Sequence, residues 1–186
     1  IYLVDRPGST QSVIVMGQAT VPRKHPDYLG LTLLNYAFGG QFSARLNQNL
    51  RQDKGYTYGF HSVVQWNRGP SLLLAGGSVQ TAVTRESVQE TLREFQQVHA
   101  MRPLGEAELE AAKAGLLLGY PATFERPAQV LNHLVQWLMY DLPDDYFQTI
   151  SAQAAAASSG LLDEKIQKRV SSSASPSVSD STISPS

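Results

Sequence analysis

Two neighbouring segments of alternating character constrain the fold of this chain more than any other feature. In residues 56–66, aromatic or apolar side chains alternate with polar or small ones, which is the period of a β-strand. The side chains expected on one face are Tyr56, Tyr58, Phe60, Val64 and Trp66. The turn-forming residues Asn67-Arg68-Gly69-Pro70 follow, and the apolar residues 71–80 come next. The sequence therefore predicts a β-hairpin, and with it an antiparallel pair of strands.

Upstream of the hairpin, the sequence predicts one strand and two helices. Residues 11–21 are rich in β-branched side chains, which favour a strand. Residues 28–38 are apolar on nearly every side, so they predict a deeply buried helix. The Gly-Gly pair at 39–40 interrupts the pattern, and a second helix is predicted from Ser43 until Gly55 ends it. The apolar face of that second helix is predicted to consist of Phe42, Leu46 and Leu50.

Three amphipathic helices are predicted after the hairpin, beginning near Thr84, Glu106 and Pro127. The apolar stripe of the third helix comprises Val130, Leu131, Leu134 and Leu138. Strands joined by a hairpin, with helices grouped elsewhere, differ from the strict alternation of a parallel doubly wound sheet. The predicted fold class is therefore α+β, with an antiparallel or mixed β-sheet covered on one face by helices.

Composition and charge exclude several functional classes. The net charge is −1 and the pI is near 6.5, so no basic surface for nucleic acid is expected. No apolar run approaches the ~20 residues of a membrane span, and the absence of Cys excludes disulfides and thiolate chemistry. The chain begins at Ile1 without a signal-peptide pattern, which predicts a native N-terminus further upstream. The compartment stays open, and it is extracytoplasmic if that upstream segment carries a signal peptide.

The composition changes after Ile150 and suggests three regions. Residues 1–150 carry the predicted strands and helices. Residues 151–170 begin with an Ala-rich stretch and are predicted to form a further helix or a linker. Residues 171–186 contain nine Ser and too little apolar surface to offset the entropy of ordering, so they are predicted to be a disordered tail.

Nothing in the sequence indicates a complete catalytic site. The four histidines are far apart, and none belongs to an H-x-x-E-H or H-E-x-x-H motif: His25, His61, His99 and His133. No G-x-S-x-G nucleophile motif or nucleotide-binding glycine loop occurs either. We therefore predict that this chain binds no metal and does not activate water for hydrolysis by itself.

One segment, residues 38–60, places a Gly-Gly break, a short helix, two arginines and a Gly-Tyr-x-Tyr sequence close together. A purely structural explanation remains open, with the glycines at turns, Arg45 and Arg51 as surface charges, and the tyrosines in a strand. The segment also resembles the hallmark of the second, inactive domain of the pitrilysin/insulinase family of zinc metallopeptidases. The matching residues are Gly39, Gly40, Ala44, Arg45, Leu46, Leu50, Arg51, Gly55 and Tyr58.

Flanking residues 5–17 and 121–129 also resemble this domain, so the resemblance covers about residues 1–150. It implies one zinc-free lobe of a two-lobed, chamber-forming α+β peptidase, in which the other lobe carries an H-x-x-E-H zinc site. Zinc is therefore expected only in the partner lobe, which is in the same polypeptide or in a separate subunit. The substrate is expected to be a peptide, and the isolated chain is expected to be inactive.

The resemblance also implies which residues reach the substrate. In the family, the zinc-free lobe supplies an Arg/Tyr pair seven residues apart, and Arg51 and Tyr58 match that spacing. Both side chains donate hydrogen bonds, so they could hold the substrate carbonyl and stabilise the charge that develops on its oxygen. Tyr56, Gly39 and Gly40 are further substrate-binding candidates. Two alternatives remain: a non-catalytic structural subunit, like the core subunits of the mitochondrial cytochrome bc complex, and a peptide-binding module without turnover.

Overall fold

The computed structural model describes residues 8–157 and 169–170, except for the side chains of residues 99 and 100. Four sequence-based predictions therefore lie wholly or partly outside the described residues. They concern the first residues of the 5–17 match, the side chain of His99, most of the helix or linker before residue 170, and the tail 171–186.

Three antiparallel strands form the sheet that carries the rest of the structure. They are β1 (Gln11–Thr20), β2 (Thr57–Gln65) and β3 (Ser71–Gln80). The spatial order is β1-β3-β2, so β3 lies between the other two and pairs with both. The predicted hairpin is confirmed as β2 and β3, and the strand predicted at 11–21 is confirmed as β1.

Six helices accompany the sheet in the described part of the chain. They are α1 (Tyr28–Asn35), α2 (Arg45–Asn47), α3 (Thr84–Ala100), α4 (Glu106–Gly119), α5 (Pro127–Tyr140) and α6 (Tyr146–Ala156). Two of them continue as π-helical turns, α1 through Tyr36–Gly40 and α2 through Gln48–Asp53. Short 3₁₀ turns precede α3 at Thr81–Val83 and α5 at Pro121–Phe124.

The core lies between one face of the sheet and the first three helices. The sheet contributes fully or nearly fully buried side chains: Ile14, Phe60, Leu73, Ala75 and Val79. Leu33 and Phe38 approach from α1 and its π-turn, and Phe38 packs edge-on against Phe95 of α3 at 4.8 Å. The opposite face of the sheet exposes Val13, Val15 and Val63. An antiparallel sheet covered on one face by helices is the predicted α+β class, which is confirmed.

The predicted apolar face of the second helix is wrong at one position. Leu46 and Leu50 are fully buried, but Phe42 is 58% exposed. The reason is local backbone geometry: Gln41 and Ala44 are both extended, and helical conformation begins only at Arg45. Phe42 therefore precedes the helix and does not follow its 3.6-residue spacing.

The apolar stripe predicted for α5 faces outward in the described structure. Its four members are between 37% and 67% exposed: Val130, Leu131, Leu134 and Leu138. The inward side of α5 instead uses His133, which stacks on Phe124 at 4.4 Å, and Tyr140, whose hydroxyl donates to the Trp66 carbonyl. Periodicity identified the helix correctly but did not determine which side packs, because no neighbouring layer covers the stripe among the described residues.

Packing continues beyond residue 150. The predicted boundary falls inside α6, whose last turn is tied to α4 by a hydrogen bond of 2.8 Å from Lys113 Nζ to the Ala157 carbonyl. Val170 is buried in the main core, and Arg169 pairs with Asp27 at 2.9 Å. The end of the 151–170 region is therefore attached to the same core as β1 and α1.

Candidate functional site

Arg51 and Tyr58, the two principal site predictions, line the same open pocket at one end of the sheet. The pocket lies where β1 and β2 begin and β3 ends. Its lining residues are Gln11, Arg51, Gln52, Gly55, Tyr56, Thr57, Tyr58, Ser78 and Gln80. We call this the Arg51–Tyr58 pocket. The lining contains one cation, several amides and hydroxyls, and no carboxylate.

A tight turn brings Arg51 and Tyr58 to the same pocket. Arg51 lies in the π-helical turn that extends α2, and the chain then reverses at Gly55, which has a φ of 67°. Glycine adopts this left-handed conformation at the lowest cost, because it has no Cβ to crowd the adjacent backbone. The Tyr56 amide donates to the Leu50 carbonyl at 2.9 Å, which closes the turn and starts β2.

Arg51 is half-buried, and its guanidinium carbon lies 4.2 Å from the centre of the Phe42 ring. Among the described residues, no carboxylate forms an ion pair with it. Stacking on an aromatic face uses the π-surface of a guanidinium and leaves its N–H donors, which lie at the edge of the group. Arg51 can therefore offer hydrogen bonds to a ligand in the pocket.

Tyr58 departs from the predicted strand alternation. It is 88% exposed, whereas Phe60, predicted on the same face, is fully buried. The cause is a β-bulge: Thr57 pairs with Val79 and Phe60 with Gly77, so Tyr58 and Gly59 together lie opposite one residue of β3. An extra residue in one strand reverses the faces on either side of it. The bulge thus turns Tyr58 toward solvent while Phe60 stays in the core.

Side-chain and backbone contacts hold this bulge in place. The Thr57 hydroxyl donates to the Ser78 carbonyl at 2.6 Å and accepts from the Gly59 amide at 3.0 Å. Gly77 lies directly beside the bulge, and a Cβ there would collide with the Gly59 carbonyl oxygen. The orientation of Tyr58 is therefore fixed by a hydroxyl and a glycine that sequence alternation alone does not identify.

Of the remaining site predictions, only Tyr56 lies in the pocket. Tyr56 is half-buried and lines the pocket beside Tyr58. Gly40 is exposed, Gly39 is buried, and neither lines the pocket. A Cβ on Gly39 would lie 2.8 Å from both the Ser62 amide nitrogen and Leu46 Cδ1. Gly39 therefore lets the π-turn pack directly on β2, and its contact with substrate stays a prediction.

We expect Gly39→Ala to lower the free energy of unfolding by about 1–3 kcal/mol, because the added methyl overpacks a site that contains rigid backbone. Denaturant unfolding of the purified chain measures this change. Gly69→Ala is the matched control, since a Cβ there has open space around it. Wild-type stability in Gly39→Ala would contradict the packing role of Gly39.

Arg45, the other arginine of the motif, is not a surface charge. Only 8% of it is exposed, and its Nε and one terminal nitrogen each lie 2.5 Å from an oxygen of Glu108. It also donates to the carbonyls of Arg102 and Pro103. Arg45 therefore ties the start of α2 to the loop between α3 and α4, and the surface-charge explanation is wrong for this residue.

The Arg45–Glu108 ion pair also lowers the pKa of Glu108. Partial burial alone would raise the pKa of Glu108, but hydrogen bonds from Arg45 and from the Gly105 amide, with the nearby positive charges, hold it below its usual value. The Gly105 amide precedes the first turn of α4, where the helix dipole also favours the negative charge of Glu108.

The described residues contain no group of three or more His, Cys, Asp or Glu that could hold a metal ion. The pocket itself offers hydrogen-bond donors and neutral oxygens, a poor ligand set for zinc. In this part of the chain, no helix has the length and apolar character of a membrane span.

Several proteins share this fold. The peptidase M16 inactive domain from Pseudomonas fluorescens superposes with a TM-score of 0.75 and 21% identity over 88% of this chain and 38% of its own length. An inactive peptidase domain from Bordetella parapertussis superposes with a TM-score of 0.70 and 20% identity. The match covers 92% of this chain and 90% of that domain. A chain of complex III2 from Candida albicans superposes with a TM-score of 0.72 and 11% identity. The match covers 87% of this chain and 40% of the other. The chain thus spans well under half of two of these relatives.

Sequence comparison supports the same relationship. The family model described as the peptidase M16 inactive domain matches residues 1–116, which is more than half of the chain. No match was found among curated proteins. The matched range contains the whole of the 38–60 motif, including both arginines and the exposed tyrosine. The chain therefore belongs to the peptidase M16 inactive-domain family, the zinc-free domain of the pitrilysin/insulinase peptidases that its central motif predicts.

Proposed function

We propose that this chain is the substrate-binding half of a zinc peptidase and that Arg51 and Tyr58 donate hydrogen bonds to the substrate carbonyl. The observation that carries the proposal is that both side chains line one open pocket. A tyrosine that is 88% exposed contributes little to folding, and a bulge is needed to expose it. A bulge that exposes a side chain with no packing role is typical of a functional site.

The chemistry suits a supporting role in peptide hydrolysis. When the scissile carbonyl is attacked, negative charge develops on its oxygen, and donors placed beforehand stabilise that charge. The Tyr58 hydroxyl and the Arg51 guanidinium are such donors, and the pocket lining presents no carboxylate to repel the charge. Zinc bound in the partner half would supply the activated water.

A second candidate function is a structural subunit without catalysis. It is favoured by the likeness to a chain of complex III2 from Candida albicans, which shares the fold at 11% identity. A subunit of that kind needs the core and the Arg45–Glu108 pair but has no use for free donors on Arg51 and Tyr58. A third candidate, a peptide-binding module, would use the same pocket without turnover.

Reconstitution distinguishes these functions. We expect the purified chain alone to leave an internally quenched fluorogenic peptide intact, because its described residues offer no metal site. Adding a zinc-bearing half with the H-x-x-E-H motif is expected to give turnover that a chelator abolishes.

The other outcomes are equally informative. Chelator-resistant turnover by the isolated chain would refute the proposal. Stable assembly without turnover or peptide binding would support the structural subunit. Peptide binding without turnover, in the presence of loaded zinc, would support the peptide-binding module.

A further inference from the structure

The exposed ring of Phe42 has no explanation in the core. Helical spacing predicts Phe42 on the same face as Leu46 and Leu50. Both leucines are fully buried, but the Phe42 side chain is 58% exposed. The ring lies against the Arg51 guanidinium, whose carbon is 4.2 Å from the ring centre. An aromatic ring kept in solvent beside a pocket cation indicates a role connected with that cation.

A buried amide fixes the backbone that carries this ring. Asn47 is fully buried, and its Nδ2 donates to the Phe42 carbonyl at 2.7 Å. Its Oδ1 accepts from the Phe60 amide at 3.2 Å, just after the bulge that exposes Tyr58. Asn47 thus joins the segment under Arg51 to the strand that carries Tyr58. Arg51 itself follows one helical turn after Asn47.

We propose that Phe42 is a positioning residue, which holds the Arg51 guanidinium in the pocket so that its donors and the Tyr58 hydroxyl address the same substrate atom. This inference rests on the proposed function of Arg51 and Tyr58. Arginine loses much rotamer freedom when it binds a ligand, and an aromatic platform removes part of that freedom beforehand. Asn47 fixes the backbone of Phe42 relative to β2. The Arg51 and Tyr58 donors therefore approach the substrate from fixed directions.

The first test compares two substitutions in the chain assembled with its zinc-bearing half. Phe42→Leu removes the aromatic face but keeps an apolar side chain, and we expect kcat/KM to fall roughly tenfold as the guanidinium becomes misplaced. Phe42→Tyr keeps the face and is expected to retain most of the activity. Phe124→Leu, which changes a partly exposed ring outside the pocket, controls for general effects of losing an aromatic side chain. Thermal melts of all variants exclude unfolding.

A double-mutant cycle separates positioning from packing. In Arg51→Met the cation is gone, so adding Phe42→Leu should cost little further activity if the ring acts through Arg51. A Phe42→Leu loss of equal size in both backgrounds would overturn the inference, because the ring would then act independently of the guanidinium. An unchanged kcat/KM in Phe42→Leu, with Arg51→Met strongly impaired, would overturn it as well.

The second test uses the chain alone and does not depend on activity. In NMR spectra, the ring current of Phe42 should displace the Arg51 side-chain Nε–Hε resonance, and Phe42→Leu should move it toward the position of a free arginine. Phe42→Tyr should preserve the displacement. If this shift appears but Arg51→Met retains full activity, the proposed function fails while the contact stands. If no shift appears, the positioning role fails even where Arg51 proves essential.

Discussion

Tyr58→Phe is expected to lower kcat of the assembled peptidase by about 10²–10³, the usual cost of losing one preorganised oxyanion donor. The substitution removes a single hydroxyl and keeps the ring. Because Tyr58 is 88% exposed, no packing is lost with the hydroxyl, and stability should not change. Steady-state kinetics with a fluorogenic peptide measure the effect, and thermal melts verify that the variant is folded.

Tyr56→Phe is the matched control, since Tyr56 lines the same pocket two residues earlier. We expect it to keep activity close to wild type if Tyr58 is the donor. A large loss in Tyr56→Phe together with normal activity in Tyr58→Phe would assign the donor to Tyr56.

Arg51→Met tests the other proposed donor, because methionine keeps most of the apolar stem of arginine and lacks its charge. If both donors serve the same oxygen, the double variant should lose less than the product of the two single losses. Near wild-type activity in both single variants would contradict the proposed site and favour the structural subunit.

Arg45→Met is expected to cause the largest loss of stability, about 2–3 kcal/mol. Removing one partner from a buried ion pair leaves the other without compensation, which typically costs about 3–5 kcal/mol, and we take less because Glu108 keeps contact with water. The loss also leaves the carbonyls of Arg102 and Pro103 without their donor. Urea unfolding measures the change.

Lys24→Met is the control for Arg45→Met, because Lys24 also pairs with a carboxylate, that of Asp141, and both of these side chains are largely exposed. Exposed pairs contribute only about 0–1 kcal/mol, so this variant should be nearly as stable as wild type. Equal stability losses in the two variants would show that burial of Arg45 does not determine its effect.

The pH dependence of stability gives an independent test of the same pair. The pKa of Glu108 is lowered in the folded chain from its ordinary value of 4.5, so its contribution to stability is present above that value and is lost as pH falls through the folded pKa. The stability difference between wild type and Arg45→Met should therefore shrink in acid below about pH 4. A difference that stays constant down to pH 2 would exclude ionised Glu108 as its source.

Local patterns in the sequence were sufficient for the order of elements and the fold class. The hairpin of β2 and β3 follows from period-two alternation and a turn sequence, which depend on neighbouring residues only. Gly55 was recognised as a helix end for the same reason, and its φ of 67° agrees. The motif at 38–60 also identified the family, through its resemblance to the hallmark of the inactive domain, and the matching family model covers the whole segment.

The tertiary structure alone decided how the site is built. The alternation that predicts the hairpin also predicts Tyr58 on the same face of the sheet as Phe60. A bulge opposite β3, which Gly77 permits, turns the two side chains to opposite faces. Helical spacing placed Phe42 in the core, but two extended residues release it to stack on Arg51. Arg45 and Arg51 look equivalent in the motif, yet Arg45 is buried against Glu108, 63 residues away, while Arg51 pairs with no carboxylate among the described residues. Sequence patterns report local periodicity, whereas exposure and charge pairing depend on partners that are distant along the chain.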